Sequence, residues 1–421
     1  KFMSHIRRAG EFGFESADAR FEFHDIMQRV RRVISQVEPH DSVERYTRLG
    51  VECLQGHASI TSPYSVEING RMLTSRNMVI ATGARPFVPD FPGLEEVGYF
   101  TSDTLWDLDE LPDRLLILGG GPIGCEMAQS FARLGSQVVL LDRNARILKR
   151  EDRDVAEIIQ QRFVQEGIEL RLEHQALRFE NPQGNKTLCC EYQGQTVSIP
   201  FDQVLIALGR RANTAGFGLE KLGIPTTPSG TIEVNEYLQT KFPNIYACGD
   251  VAGPYQFTHT AAHQAWYASV NSLFRGFKSF KVDYSVIPCA TFTDPEVAHV
   301  GINEQQAREQ QIDYELSRFE LDDLDRALTD EEAHGFIKVL TVPGKDTILG
   351  VTIVGEHAGD LIAEYVSAMR HNIGLNKILS TIHIYPTLAE ANKYVAGAWK
   401  QAHKPEKILS WLRRFHHWRR G

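Results

Sequence analysis

The sequence predicts an α/β protein: two tandem three-layer units built on parallel sheet, followed by an α+β domain. Two observations carry this. The first is residues 114–142, RLLILGGGPIGCEMAQSFARLGSQVVLLD. Residues 115–118 are an apolar run of buried-strand length, and Gly119, Gly121 and Gly124 give the spacing G-x-G-x-x-G. Residues 125–134 carry apolar side chains at helical spacing until Gly135, and a second apolar run, 138–141, ends on Asp142. Strand, glycine turn, helix, strand and acid follow in the order of a complete βαβ unit. The second observation is a repeat. Hairpin, apolar strand and Ala-x-Gly occur at residues 64–83 and again at 188–209, which marks an internal duplication.

Each glycine has a separate physical task. Gly119 lets the chain turn tightly, Gly121 lets a pyrophosphate approach the backbone, and Gly124 lets helix and strand pack closely. The free N–H groups and the dipole at the helix start favour phosphate there. Asp142 is placed to accept hydrogen bonds from an adenosine ribose. The unit therefore reads as a Rossmann-like dinucleotide site.

Residues 2–8 read as the end of a helix. Residues 25–38 read as an amphipathic helix whose packing face is Ile26, Met27, Val30, Val33, Ile34 and Val37. Residues 51–54 are expected as a short strand ending at Gly56-His57-Ala58. Residues 64–68 and 71–74 flank Asn69-Gly70, a strong hairpin signal. The run 78–81 leads into Thr82-Gly83-Ala84-Arg85-Pro86. In the second copy, 188–192 and 196–199 flank Gln193-Gly194-Gln195, and the run 203–207 leads into Leu208-Gly209-Arg210-Arg211. No glycine unit precedes Ala81 as one precedes Ala207: Gly10 and Gly13 are wrongly spaced and follow no strand. The expectation is that the first copy has lost its front βαβ unit and that the chain, which begins with Lys, lacks its natural start.

A net charge of −9 argues against a nucleic-acid partner. No apolar run approaches a membrane span, and no signal peptide is visible. Six scattered cysteines suit a reducing, cytoplasmic setting.

The chain resembles the flavoprotein disulfide reductases (class I pyridine nucleotide-disulfide oxidoreductases), which include dihydrolipoamide dehydrogenase, glutathione reductase and mercuric reductase. The motifs that carry the resemblance are Ala81-Thr82-Gly83, the unit at residues 119–126, Ala207-Leu208-Gly209-Arg210 and Tyr246-Ala247-Cys248-Gly249-Asp250. Two more follow: Thr293-Asp294-Pro295-Glu296-Val297-Ala298 with Val300-Gly301, and Tyr385-Pro386-Thr387-Leu388-Ala389-Glu390. The resemblance implies an FAD domain in two parts, 1–98 and 214–283, around an NAD(P) domain at 99–213. A dimerisation domain at 284–402 and a basic tail at 403–421 complete the chain, and the protein is expected to be a homodimer.

The resemblance also assigns site residues. Gly56, Ala58, Thr82, Gly83, Asp250, Thr258 and His259 fall where the family contacts FAD. Gly119, Gly121, Gly124, Glu126, Asp142 and Gly209 fall where it contacts NAD. Asp142 favours NAD(H) over NADP(H), while Arg143 and Arg146 argue the other way. Tyr385 and Glu390 match the active-site loop, where thiol-handling members carry a His in place of Tyr385. A tyrosine hydroxyl is a poor base at neutral pH, and mercuric reductase also has a Tyr there. His383, two residues away in an extended segment, is a substitute base or a loop anchor.

None of Cys53, Cys125, Cys189, Cys190, Cys248 and Cys289 has the family's C-x-x-x-x-C spacing. The redox pair is therefore expected to lie before the first residue. Mercuric reductase ends in a cysteine pair, whereas this chain ends WLRRFHHWRRG. His259 and His263 sit at i, i+4 but lack a third ligand, so no metal site is expected. The tail mixes Trp411, Phe415 and Trp418 with arginines. A solvated terminal helix is expected there, with contact to an acidic membrane surface as the alternative.

The expected function is FAD-dependent oxidation of NAD(P)H with transfer to a small-molecule or metal-ion acceptor, as in mercuric reductase. The alternatives are a dihydrolipoamide dehydrogenase-like activity and, in another class, a flavin-free NAD-binding or inactive fragment.

Overall fold

The computed structural model describes residues 1–421. The strand Arg114–Leu118 is its keel. Leu115 through Leu118 are all at most 1 % exposed, as a strand covered on both faces requires. Alternate residues serve different layers. Leu115 and Ile117 join Cys125, Ala128 and Phe163 of the helices Pro122–Leu134 and Arg153–Gln165. Leu116 and Leu118 join Phe179, Leu188 and Ile199 of an antiparallel sheet on the other face. The parallel sheet runs Gln203–Ile206, Arg114–Leu118, Gln137–Leu141, Glu169–Arg171. Its cover is the sheet Gln175–Glu180, Thr187–Tyr192, Gln195–Pro200.

The repeat is real. Asn69 and Gly70 take φ of 53° and 75°, and Gln193 and Gly194 take 51° and 77°. Positive φ at both central residues is what a tight hairpin of this type demands. The first hairpin joins Ser65–Ile68 to Arg71–Thr74, with Ala58–Ser62 on its outer side. The strand Met78–Ile80 then pairs in parallel with Ile245–Ala247. Ala84–Pro86 pairs with Arg210–Ala212, so the two copies are joined immediately after their Ala-x-Gly turns.

Two expectations are corrected. Residues 51–54 form no strand; Val51 and Leu54 are 48 % and 39 % exposed. The helix Phe23–Val37 exists, but only its first turns pack: Phe23 and Met27 are buried, with the Phe23 ring 6.0 Å from that of Phe131. Val33, Ile34 and Val37 are 41–54 % exposed, so the amphipathic face is only partly covered.

The last domain is a five-stranded antiparallel sheet: Pro288–Thr291, Glu296–Gly301, Ile348–Gly355, Phe336–Thr341, Glu315–Glu320. Helices Ala358–Arg370 and Glu390–Ala402 pack on it. The glycine-turn helix Pro122–Leu134 ties it to the parallel sheet through three residues on one face. Glu126 Oε1 accepts from Phe292 N (2.9 Å), Gln129 exchanges two bonds with the Asp294 backbone (2.7 and 2.8 Å), and Arg133 pairs with the Asp294 carboxylate (2.7 Å). No helix is long and apolar enough to cross a membrane.

Candidate functional site

The glycine turn opens the 13-residue helix Pro122–Leu134, with Gly121 as its N-cap. The three motif glycines occupy distinct surroundings. A Cβ on Gly119 (φ +112°) would stand 2.4 Å from Ala207 O, and one on Gly124 would stand 1.9 Å from Gly119 O. A Cβ on Gly121 would meet nothing within 4 Å. Gly119 and Gly124 are closed by the fold itself, while Gly121 faces open space at a helix N-terminus. That is the geometry a phosphate group needs.

Asp142 ends the second strand, and its carboxylate holds the turn. Oδ2 accepts from Gly120 N at 2.6 Å, and Oδ1 accepts from Asn144 N (2.7 Å) and Asn144 Nδ2 (2.5 Å). Asn144 escaped the sequence reading, although an Asp-x-Asn turn after a strand is a visible signal. Arg146 turns away from this end: its guanidinium donates to the carbonyls of Lys149 and Glu151 and to Gln305. Arg143 is exposed.

The second group of residues meets at the junction of the two copies. Thr82 Oγ1 donates to Asn213 O (2.7 Å), Asn213 Nδ2 returns a bond to Thr82 O (2.9 Å), and Asn213 N donates to Gly83 O (2.9 Å). Arg210 donates to Ala84 O at 2.7 Å and lies 3.6 Å from Asp250 Oδ2. Gly83 (φ +65°) and Gly209 (φ +114°) both have open space where a Cβ would be. The Asp250 side chain is one-fifth exposed and is free to accept from hydroxyls. Open backbone at two glycines beside a partly exposed carboxylate fits a flavin ribityl chain.

Thr258 and His259 open the 17-residue helix Thr258–Phe274. His259 Nε2 bonds Pro288 O at 2.9 Å, and its ring stacks on Phe257 at 5.2 Å. Gly56 packs on Asn69, whose amide would lie 2.3 Å from an added Cβ, and Ala58 begins the outer strand. Gly119 abuts Ala207, two residues before Gly209, and Arg210 reaches Asp250, which connects the glycine turn to the Asp250 group.

Glu126 is partly buried, and burial pushes its carboxyl pKa up against the lowering effect of the Phe292 N–H. Its bond to Phe292 N makes it a strut to the sheet domain.

Tyr385, Glu390 and His383 lie apart from this region, and each is bonded within the sheet domain. The exposed Tyr385 hydroxyl donates to Asp325 Oδ2 at 2.9 Å, and that carboxylate raises its pKa above the usual value. Glu390 is buried and accepts from Thr387 N at 3.3 Å. The His383 side chain is 7 % exposed; Nε2 lies 3.1 Å from both Glu364 oxygens and Nδ1 faces Thr381 O at 3.2 Å. Asp325 and Glu364 were not legible from sequence, because their partners are 60 and 19 residues away.

All six cysteines are free. Cys125, Cys189, Cys190 and Cys248 are buried, and burial raises the thiol pKa of Cys125, Cys190 and Cys248. Cys189 and Cys190 point to opposite faces of their strand, as core residues.

The model of the pyridine nucleotide-disulphide oxidoreductase family matches residues 14–265, and that of its dimerisation domain matches residues 287–396. The chain is 33 % identical over 384 residues to the mercuric reductase of Staphylococcus aureus, covering 91 % of this chain and 70 % of that protein. It is 36 % identical over 351 residues to the dihydrolipoyl dehydrogenase of Thermus scotoductus, covering 83 % and 75 %. Among solved structures it is similar to the HOCl-induced flavoprotein disulfide reductase RclA from Escherichia coli. There the TM-score is 0.81 at 27 % identity, over 90 % of this chain and 86 % of that one. The chain therefore belongs to the pyridine nucleotide-disulphide oxidoreductase family, whose members are FAD-dependent enzymes.

Proposed function

We propose that this protein passes electrons from NADH through FAD to a small electrophilic acceptor, in the manner of a mercuric reductase. The observation that carries the reading is Tyr385. Its hydroxyl is bonded to Asp325, and its raised pKa keeps it protonated at neutral pH. A protonated phenol donates a hydrogen bond but does not accept a thiol proton. His383 does not replace the missing base, because its ring is fixed between Glu364 and Thr381 O. It serves as the anchor of the loop.

The division of labour follows. The N-terminus of Pro122–Leu134 and the open face of Gly121 hold the pyrophosphate of NADH. Asp142, held by Gly120 and Asn144, orients the adenosine ribose and repels a 2′-phosphate. With Arg146 engaged elsewhere, Arg143 alone is left to favour NADPH, so NADH is preferred. Glu126 borders the nicotinamide, and Gly209 lets it approach the backbone. Asp250, Thr82, Gly83, Gly56, Ala58 and the helix start at Thr258 and His259 hold FAD, which when bound supplies the acceptor for the hydride of NADH. The domain limits follow the same scheme: 1–98 with 214–283, 99–213 and 284–402, with 403–421 as a tail. In a homodimer Tyr385 and Glu390 serve the partner's site, which accounts for their separation from Asp250 within one chain.

The test is an absorbance spectrum of the purified chain before and after anaerobic NADH, followed by addition of mercuric ion or lipoamide. A flavin band that bleaches with NADH is expected, and in the protein that carries the redox cysteine pair it returns with mercuric ion. Return with lipoamide alone would move the activity to the dihydrolipoyl dehydrogenase side, which the 36 % relative favours. NADH binding with no flavin band would leave only a nucleotide-binding protein.

A further inference from the structure

We propose that the C-terminal helix Glu406–Arg420 docks on an anionic membrane surface. None of its 15 residues is buried. No side-chain hydrogen bond or ion pair links it to the rest of the chain, which it meets only through backbone bonds to Lys404 and Pro405; its one salt contact, Arg413 to Glu406, is internal. A helix of this length without packing is marginal in water, so its stability calls for a partner along one face.

The sequence of the helix describes that partner. At 100° per residue, Ile408, Trp411, Leu412, Phe415 and Trp418 fall within about a third of the circumference. The ridge is formed in the structure. Trp411 stacks on Phe415 at 5.6 Å, and Phe415 lies 6.2 Å from Trp418. Ile408, Trp411 and Trp418 are 58 %, 61 % and 76 % exposed. Lys407 and Arg414 border one side of the ridge, Arg413 and Arg420 lie beyond its other side, and Arg419 falls within the arc, its guanidinium 5.8 Å from the centre of the Phe415 ring. The helix holds five Lys or Arg against one Glu, in a chain whose net charge is −9.

An apolar aromatic ridge between basic flanks matches the boundary between lipid headgroups and acyl chains. Indole rings settle at that boundary, and the cations meet anionic headgroups. Nucleic acid would take the cations but offers no apolar layer to the Ile408–Phe415 ridge. A second copy of the helix would set cation against cation.

The experiment is co-sedimentation of the purified full chain with vesicles. One set is phosphatidylcholine alone, the other phosphatidylcholine with phosphatidylglycerol, each at low and high salt. Pelleting at least tenfold stronger on the anionic vesicles, weakened by salt, is expected. The double variant Trp411→Ala/Trp418→Ala and the variant Arg413→Gln/Arg414→Gln should each lose it. All four side chains lie on the exposed helix, so the circular-dichroism melt of both variants should match the parent. Equal pelleting on both vesicle types, no pelleting, or pelleting that survives the tryptophan replacements would each overturn the proposal. Binding of the parent chain to duplex DNA but not to vesicles, or dimerisation lost with the tryptophans while vesicles are ignored, would overturn it in favour of those partners.

Discussion

Replacing Gly124 by Ala puts a methyl group 1.9 Å from the carbonyl oxygen of Gly119, 3.1 Å from its carbon and 3.5 Å from Ile117 Cγ2. The nearest obstacle is backbone, so no rotamer change relieves it. The helix Pro122–Leu134 must retreat by at least 1.1 Å to reach 3.0 Å, the shortest separation real Cβ atoms show. That retreat opens the layer between the helix and Ile117, and overpacking of this kind costs about 1–3 kcal/mol or more. Gly121→Ala differs in every respect. Its φ of −80° suits alanine, and its Cβ meets nothing within 4 Å. It should fold as the parent does. The new methyl instead occupies the approach of the phosphate, and losing one charge-assisted hydrogen bond there costs about 1.5–3 kcal/mol. That is roughly 10- to 150-fold in NADH affinity. Urea unfolding and NADH titration by fluorescence measure the two quantities separately. Gly124→Ala should lose stability; Gly121→Ala should keep it and lose affinity. A Gly121→Ala protein that binds NADH normally would refute the assignment of the turn to phosphate.

Other outcomes follow from particular side chains. Tyr385→His should raise lipoamide turnover at neutral pH at least tenfold by supplying a base, whereas Tyr385→Phe should leave it unchanged; steady-state rates decide. Arg133 holds Glu166 (2.6 Å) and Asp294 (2.7 Å) in a nearly closed pocket. Arg133→Met should therefore cost about 3 kcal/mol by leaving Asp294 with Lys1 alone and Glu166 with Gln129 alone, read from the urea midpoint. His299 is buried, which lowers its pKa, but its bonds to Cys289 and Glu151 (3.1 Å) outweigh this and raise the pKa well above the ordinary value. A raised pKa means that the contribution is complete below the unfolded value near 6.5 and is lost as pH rises through the folded value. Stability should accordingly fall above about pH 6.5 by up to roughly 1.4 kcal/mol per unit, and Glu151→Gln should flatten that slope in denaturation series. A thiol reagent should titrate only Cys53 and Cys289 in the native protein, since the other four cysteines are buried; fast reaction of more than two would contradict the packing.

The βαβ unit was readable because its signals are local and agree. A run such as Leu115–Leu116–Ile117–Leu118 belongs between two covering layers, and Asn69-Gly70 can hardly be anything but a tight turn. The helix Phe23–Val37 shows the limit. Periodicity defines an apolar face but says nothing about what lies opposite, and here Phe23 and Met27 are buried, Val30 is partly covered, and Val33, Ile34 and Val37 stay exposed. The candidate site divides in the same way. The glycines and Asp142 follow from spacing. Asn213 beneath Thr82, Asp325 on Tyr385 and Glu364 on His383 are fixed by chain crossings that no window of sequence contains. Tyr385 was visible as a residue type, but its partner, which decides its chemistry, was not.

The face formed by Glu126, Gln129 and Arg133 has a consequence for how this molecule can change. The helix that begins at the glycine turn also grips residues 292–294 at three successive turns. Removing one residue between Gly121 and Glu126 would rotate that grip by about 100°, unseating all three contacts at once. The helix therefore works like a keyed shaft, its length fixed from both ends. Swapping either domain for a homologous one would succeed only if the replacement carried both the shaft and its socket.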